Sequence, residues 1–111
     1  MPQPDPSKAW VSLEEEIQDV MLADKLDGNS LPDGRYFEIP PGSHDLQVQL
    51  HVDNNDSAPV LCDAKLHYAG FVAGGHYSLK ESHLGAEYRV RLHDASGKQL
   101  AATDVFYCVP G

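Results

Sequence analysis

Between Asp45 and Val52 the chain alternates without a break: Leu46, Val48, Leu50 and Val52 are apolar, while Asp45, Gln47, Gln49 and His51 are polar. A period of two puts each set on its own face of an extended strand, so this segment predicts a strand wetted on one side only. Upstream, Arg35 to Ile39 reads as a strand that Pro40-Pro41-Gly42 stops, because proline supplies no N–H to a ladder. The stretch from Arg35 to Val52 therefore reads as strand, turn, strand.

The same signals recur along the chain. Ala9 to Leu13 predicts a first short strand, with Trp10 as a core or edge-plug residue. Glu14 to Ala23 is ambiguous: Ile17, Val20 and Met21 fit helical spacing, so a single helical turn over Glu14 to Gln18 competes with a strand from Asp19 to Leu22. We prefer the strand, because Asp24 to Asn29 then supplies its turn. Leu31-Pro32-Asp33-Gly34 is a further turn, and Asp53 to Pro59 is a polar connection. Val60 to Tyr68 predicts a strand with Val60, Cys62, Ala64, Leu66 and Tyr68 on one side. Ala69-Gly70 reads as a tight turn, after which Phe71 to Lys80 returns with Phe71, Ala73, Tyr77 and Leu79 inward. Gly74-Gly75 signals a bulge or a close backbone approach. Glu81 to Glu87 reads as a loop, Tyr88, Val90 and Leu92 as the inward set of another strand, Asp94 to Lys98 as a turn and Gln99 to Val109 as the closing strand. About seven or eight short strands joined by Gly, Pro, Asn and Asp turns predict an all-β, antiparallel β-sandwich of immunoglobulin-like type.

Length and charge narrow the picture. The 111 residues suit one domain, which we place at 9–111 behind a Pro-rich, extended tether at 1–8. The formal charge of -9 argues against attraction to nucleic-acid phosphates or anionic lipid surfaces. No apolar run approaches the ~20 residues that span a bilayer, and no basic-then-apolar leader is present. The chain is then either cytoplasmic or a mature form whose export signal has been removed. Its opening prolines fit the second reading, as a spacer holding a domain off a membrane, and equally fit a frayed terminus.

Cys62 and Cys108 bear on the compartment. Both fall on the inward parity of their strands, so they could bridge the two layers, as in many exported sandwiches. The enclosed loop of about 46 positions gives roughly 4 kcal/mol in the chain-entropy picture, before native strain is subtracted. Two buried free thiols behaving as small hydrophobes are the competing reading. The pair lacks the close spacing of a zinc site.

Six histidines are the unusual element of the composition. His51, His67, His76 and His93 all fall on the polar parity of their strands, and His44 sits at a turn exit. If Val60 to Tyr68 pairs with Phe71 to Lys80, Asp63 lies opposite His76. If Asp45 to Val52 pairs with Val60 to Tyr68 as a hairpin, Asp45 lies opposite His67. Asp45, His67, Asp63 and His76 would then offer two imidazoles and two carboxylates to Zn²⁺ or Cu²⁺. A solvated sheet face whose polar positions happen to be histidine is the plainer account. Ser43-His44-Asp45 holds the letters of a nucleophile, base and acid, but adjacent strand residues point to opposite faces and do not converge. No phosphate-binding glycine motif or Cys-x-x-Cys is present. We expect no cofactor and no enzymatic activity. Tyr36 and Phe37 must lie on opposite faces, as must Phe106 and Tyr107, leaving an exposed aromatic for sugar stacking or a protein contact.

Three segments carry a resemblance: Pro40-Pro41-Gly42-Ser43-His44-Asp45-Leu46-Gln47-Val48, Ala73-Gly74-Gly75-His76-Tyr77-Ser78-Leu79 and Val90-Arg91-Leu92-His93-Asp94-Ala95-Ser96-Gly97-Lys98. Together they resemble a pattern in small exported lipoproteins of Gram-negative bacteria, notably pseudomonads, whose sandwich domain is immunoglobulin-like or transthyretin-like. Pro4 to Val11 is similar to the start of their mature domain. The chain departs from that pattern in having no lipidation cysteine near its start. The resemblance implies a periplasmic or outer-membrane-anchored location, with a membrane reached only through a lipid anchor that this chain does not carry. It supplies no catalytic residues. We therefore expect a non-enzymatic binding or structural module, its partner another envelope protein docking on a sheet face or an edge strand. A metal-binding module built on the histidines is the alternative.

Overall fold

A computed structural model describes residues 6–14, 19–31, 34–52, 60–84 and 87–107. Ten strands are formed: β1 (Ala9–Glu14), β2 (Asp19–Leu26), β3 (Asn29–Ser30), β4 (Tyr36–Ile39), β5 (Gly42–Val52), β6 (Val60–Phe71), β7 (His76–Leu84), β8 (Glu87–Asp94), β9 (Gln99–Ala102) and β10 (Phe106–Tyr107). Among the described residues there is no helix. The expected all-β sandwich is the observed architecture. It has more strands than the reading counted, because short pieces such as β3 and β10 carry no alternation that could be seen.

One sheet has four strands in the order β3-β2-β5-β6; the other has six, ordered β10-β8-β7-β1-β4 with β9 also on β8. In the four-stranded sheet the predicted alternation sets the register. Leu46, Val48 and Leu50 on β5 lie opposite Leu66, Ala64 and Cys62 on β6, and opposite Leu26, Ala23 and Met21 on β2. A slip by one residue would turn this whole set into water, so the burial itself fixes the pairing. From the other layer Val11, Phe37, Ile39, Leu79, Val90 and Leu92 complete the core, each no more than 1% exposed. Full burial of a side chain of this kind contributes about 1.5–3 kcal/mol.

The strand, turn, strand reading of Arg35 to Val52 holds, with the turn carrying the chain between layers: β4 joins β1 in the six-stranded sheet while β5 joins β2 and β6. The connections depart from the reading in two places. Ala69-Gly70 is not a turn. Both residues belong to β6, and the chain crosses to the other layer after Phe71, so that β7 pairs with β1 and β8 instead of β6. Ala73, expected inward, lies exposed in that crossing. The crossing is the close backbone approach that Gly74-Gly75 signalled: Gly74 N–H donates to Lys8 O at 3.0 Å, and Trp10 N–H to Gly75 O at 2.9 Å. Finally, Glu81 is no loop residue. β7 continues to Leu84, and Glu81 is 6% exposed on the inward parity that Tyr77 and Leu79 set.

β1 is the exception to antiparallel pairing. It lies between β4, antiparallel, and β7, parallel. Trp10 faces away from the core cluster yet is only 8% exposed, because Tyr36 stacks on it at 4.2 Å and 14°. It is buried on the outer face of an interior strand rather than at an edge. The preferred strand over Asp19 to Leu22 forms and runs on to Leu26. The chain then reverses at Asp27-Gly28, whose φ angles of 51° and 83° are those of a primed hairpin turn. The alternative helical turn over Glu14 to Gln18 falls largely outside the described residues, with Glu14 ending β1. Gln99 to Val109 is split into β9 and β10, Val109 itself lying outside the described residues.

A hydrogen-bonded cluster on the four-stranded sheet

A connected group of polar side chains gathers at one end of the four-stranded sheet. β5 carries Ser43 and Asp45, two residues apart and therefore on one face. The hairpin between β5 and β6 sets His67 opposite Asp45, as the sequence predicts. Along the ladder Gly42 pairs with Phe71 and His44 with Tyr68, so two steps on β5 are matched by three on β6 and Ser43 faces both Ala69 and Gly70. The Ser43 hydroxyl is exposed and within reach of His67.

The contacts form a chain. His67 Nδ1–H donates to Asp45 Oδ1 at 2.5 Å, and Ser43 Oγ lies 3.1 Å from His67 Nε2. With its Nδ1 proton held by the carboxylate, neutral His67 presents a bare Nε2 lone pair to the Ser43 hydroxyl. On the other side of β5, His44 Nδ1 lies 2.6 Å from Asp27 Oδ2. Asp27 Oδ1 accepts the Asp45 N–H at 2.8 Å, and Asp45 O accepts the Asp27 N–H at 2.9 Å. The Asp27-Gly28 turn is thus clamped against β5. The Asp45 N–H and the His44 ring both favour the charged form of Asp27, and hold its pKa below its ordinary value of 3.8.

Of the four residues proposed from the sequence as metal ligands, the structure brings Asp45 and His67 together and parts the other two. Asp63 lies on β6 and His76 on β7, in different sheets, because the expected turn at Ala69-Gly70 is a continuous strand. The set of four does not assemble, and among the described residues no group of three His, Cys, Asp or Glu side chains is placed to hold a metal ion. Cys62 sits half-buried on β6 opposite Leu50, whereas Cys108 lies outside the described residues. Sequence reasoning missed Asp27 and Ser43. The Asp-Gly pair marked a turn without showing where it would dock, and Ser43 was weighed against His44, its neighbour, rather than against the cross-strand His67.

The outer face of the six-stranded sheet is different in kind. Arg89 and Arg91 extend along β8, with Arg91 Nη1 donating to Ser82 Oγ at 2.6 Å. At one end Leu84 is 82% exposed and Tyr107 65% exposed, the tyrosine hydroxyl donating to Glu87 at 3.2 Å. Comparison of the chain with protein-family models, curated proteins and solved structures finds no match.

Proposed function

We propose that this chain is a β-sandwich module of the bacterial cell envelope that binds an extended segment of a partner protein by strand addition along β6. One observation carries the reading. β6 is the longest strand, 12 residues, and among the described residues only β5 pairs with it, so one edge offers its N–H and C=O groups to a further strand. Leu61, Asp63, Lys65 and His67 project from the face beside that edge, all exposed. They would read alternate side chains of the incoming segment, with an apolar position, an acid and two bases in fixed order.

The envelope location rests on the resemblance of the segments around Ser43, His76 and Asp94 to exported lipoproteins. A Cys62–Cys108 disulfide, which an oxidising compartment would permit, belongs to the same reading. It is supported by Cys62 not being a free thiol and by Cys108 being the only other cysteine in the chain. Alkylation of the denatured, unreduced protein should label neither cysteine; labelling of both removes the disulfide.

Strand addition is tested by selecting peptides from a random display library on the intact chain and following amide hydrogen exchange. Peptides that bind should slow exchange across Val60–Phe71 and leave Tyr36–Ile39, the edge of the other sheet, unchanged. Binders that protect the six-stranded sheet instead, or protect no backbone amide, would sink the reading.

A further inference from the structure

We infer that Ser43, His67 and Asp45 form a nucleophile–base–carboxylate relay that accepts an acyl group from small activated esters. This activity goes beyond the binding role and does not depend on it.

The connectivity is what acyl transfer needs. A serine hydroxyl is a weak nucleophile until a base takes its proton, and the base acts best when a third group holds it in the right tautomer. Here Ser43 Oγ is 3.1 Å from Nε2 of His67, and Nδ1 of the same ring is 2.5 Å from Asp45 Oδ1. Each nitrogen therefore has one role: Nδ1–H is fixed by the carboxylate, and Nε2 is free to receive the hydroxyl proton. The three residues are on rigid strands rather than loops. Asp45 and His67 are cross-strand partners, and Asp45 is further held through its backbone by both ends of Asp27. Beside the imidazole opens a cleft of about 500 Å³. Leu46, Gln47, Lys65 and Leu66 line it with Asp45 and His67; Ser43 lies outside it, so the ester reaches the exposed hydroxyl from solvent.

In the first step Ser43 Oγ attacks the ester carbonyl carbon while its proton moves to His67 Nε2. The tetrahedral intermediate then collapses, the bond to the leaving oxygen breaks, and that oxygen departs with the proton from Nε2, leaving acyl-Ser43. Water attacks the acyl group next, gives its proton to the same nitrogen, and releases the carboxylic acid as Ser43 regains its hydrogen. Solvent reaches all three groups; the side chains of His67 and Asp45 are 59% and 68% exposed. Water screens the carboxylate's help to the imidazolium, so the relay is confined to esters with good leaving groups.

The test is p-nitrophenyl acetate hydrolysis by the intact chain from pH 5 to 9, with Ser43→Ala, His67→Gln and Asp45→Asn alongside. The wild-type rate should rise with pH as the base that accepts the Ser43 proton becomes free. Ser43→Ala and His67→Gln should each lower it on the order of 10²-fold, and peptide mapping should find acetyl on Ser43. Asp45 is a positioning residue, so Asp45→Asn should lower the rate less and displace the pH profile. All three positions are at the surface, and unchanged melting curves show that the variants remain folded. A Ser43→Ala rate equal to wild type would mean that surface imidazoles react alone, and would overturn the inference. So would a wild-type rate no greater than that of the same concentration of free imidazole, or acetyl found elsewhere but not on Ser43.

Discussion

The two sheets treat their outer strands differently. β4 closes the six-stranded sheet with four residues, ends at Pro40-Pro41, and is pinned to β1 by the Trp10–Tyr36 stack. Shortness and adjacent prolines are what blunt an edge against unwanted pairing. β6 closes the four-stranded sheet with 12 residues and no proline, and Lys65 with Asp63 are the charges that interrupt its outward row. The contrast shows that protection of edges is local in this molecule. One margin is short and bounded by prolines, and the other is long and, among the described residues, paired on one side only.

Substitutions on the two margins should separate stability from edge function. The largest effect is expected for Leu66→Ala, which empties a site 5% exposed opposite Leu46 and should cost about 2–5 kcal/mol in urea unfolding. Proline scanning along β6 comes next. Neighbouring residues of a strand send their N–H groups to opposite sides, so prolines at one parity should lower stability by breaking bonds to β5. Prolines at the other parity should spare stability and abolish peptide binding. If both parities destabilise alike, β6 is paired on both sides and the contrast with β4 disappears. Tyr36→Ala removes the stack over Trp10 and should cost about 0.5–1.5 kcal/mol beyond the lost burial, read as a lower melting temperature. Leu61→Ala, on the exposed face of β6, should change stability by less than about 0.5 kcal/mol while weakening any selected peptide.

The smallest effect concerns pH. Asp27 has its pKa lowered on folding, so its contribution is present above the ordinary value of 3.8 and is lost as pH falls below it, through the lowered folded value. Asp27→Asn should therefore lower the melting temperature at pH 7 more than at pH 2. An equal loss at both pH values would show that the clamp on β5 owes nothing to charge.

The sandwich was legible because its strongest alternating segments, Asp45 to Val52 and Val60 to Tyr68, pair with each other, and burial leaves a single workable register. Asp45 opposite His67 follows from that register alone. What failed was punctuation. Ala69-Gly70 was read as a turn, yet Gly70 is a glycine of close approach: a Cβ there would sit 2.9 Å from the Tyr68 hydroxyl. Placing β7 beside β6 on that basis put His76 on the wrong sheet, and the proposed ligand set went with it. Ser43 was hidden for a subtler reason. Its reach to His67 depends on the mismatch between Gly42 and His44, and one strand's sequence does not reveal how many residues its neighbour will set against it. Glu81 misled as well, since a carboxylate suggests a loop, and its inward position is dictated by Tyr77 and Leu79 before it.

The place of β1 has a consequence for the order in which the layers can be completed. Val52 and Val60, the nearest partners of β5 and β6, are 8 positions apart in the chain, whereas Trp10 and His76 are 66 apart. Closing the longer span costs roughly 2 kcal/mol more in chain entropy. During synthesis the four-stranded sheet can zip as soon as Phe71 has emerged, and β1 can already lie on β4, while the other margin of β1 must wait for β7 to arrive alongside. Until then the growing polypeptide has one finished layer, whose oily inner side is only partly covered.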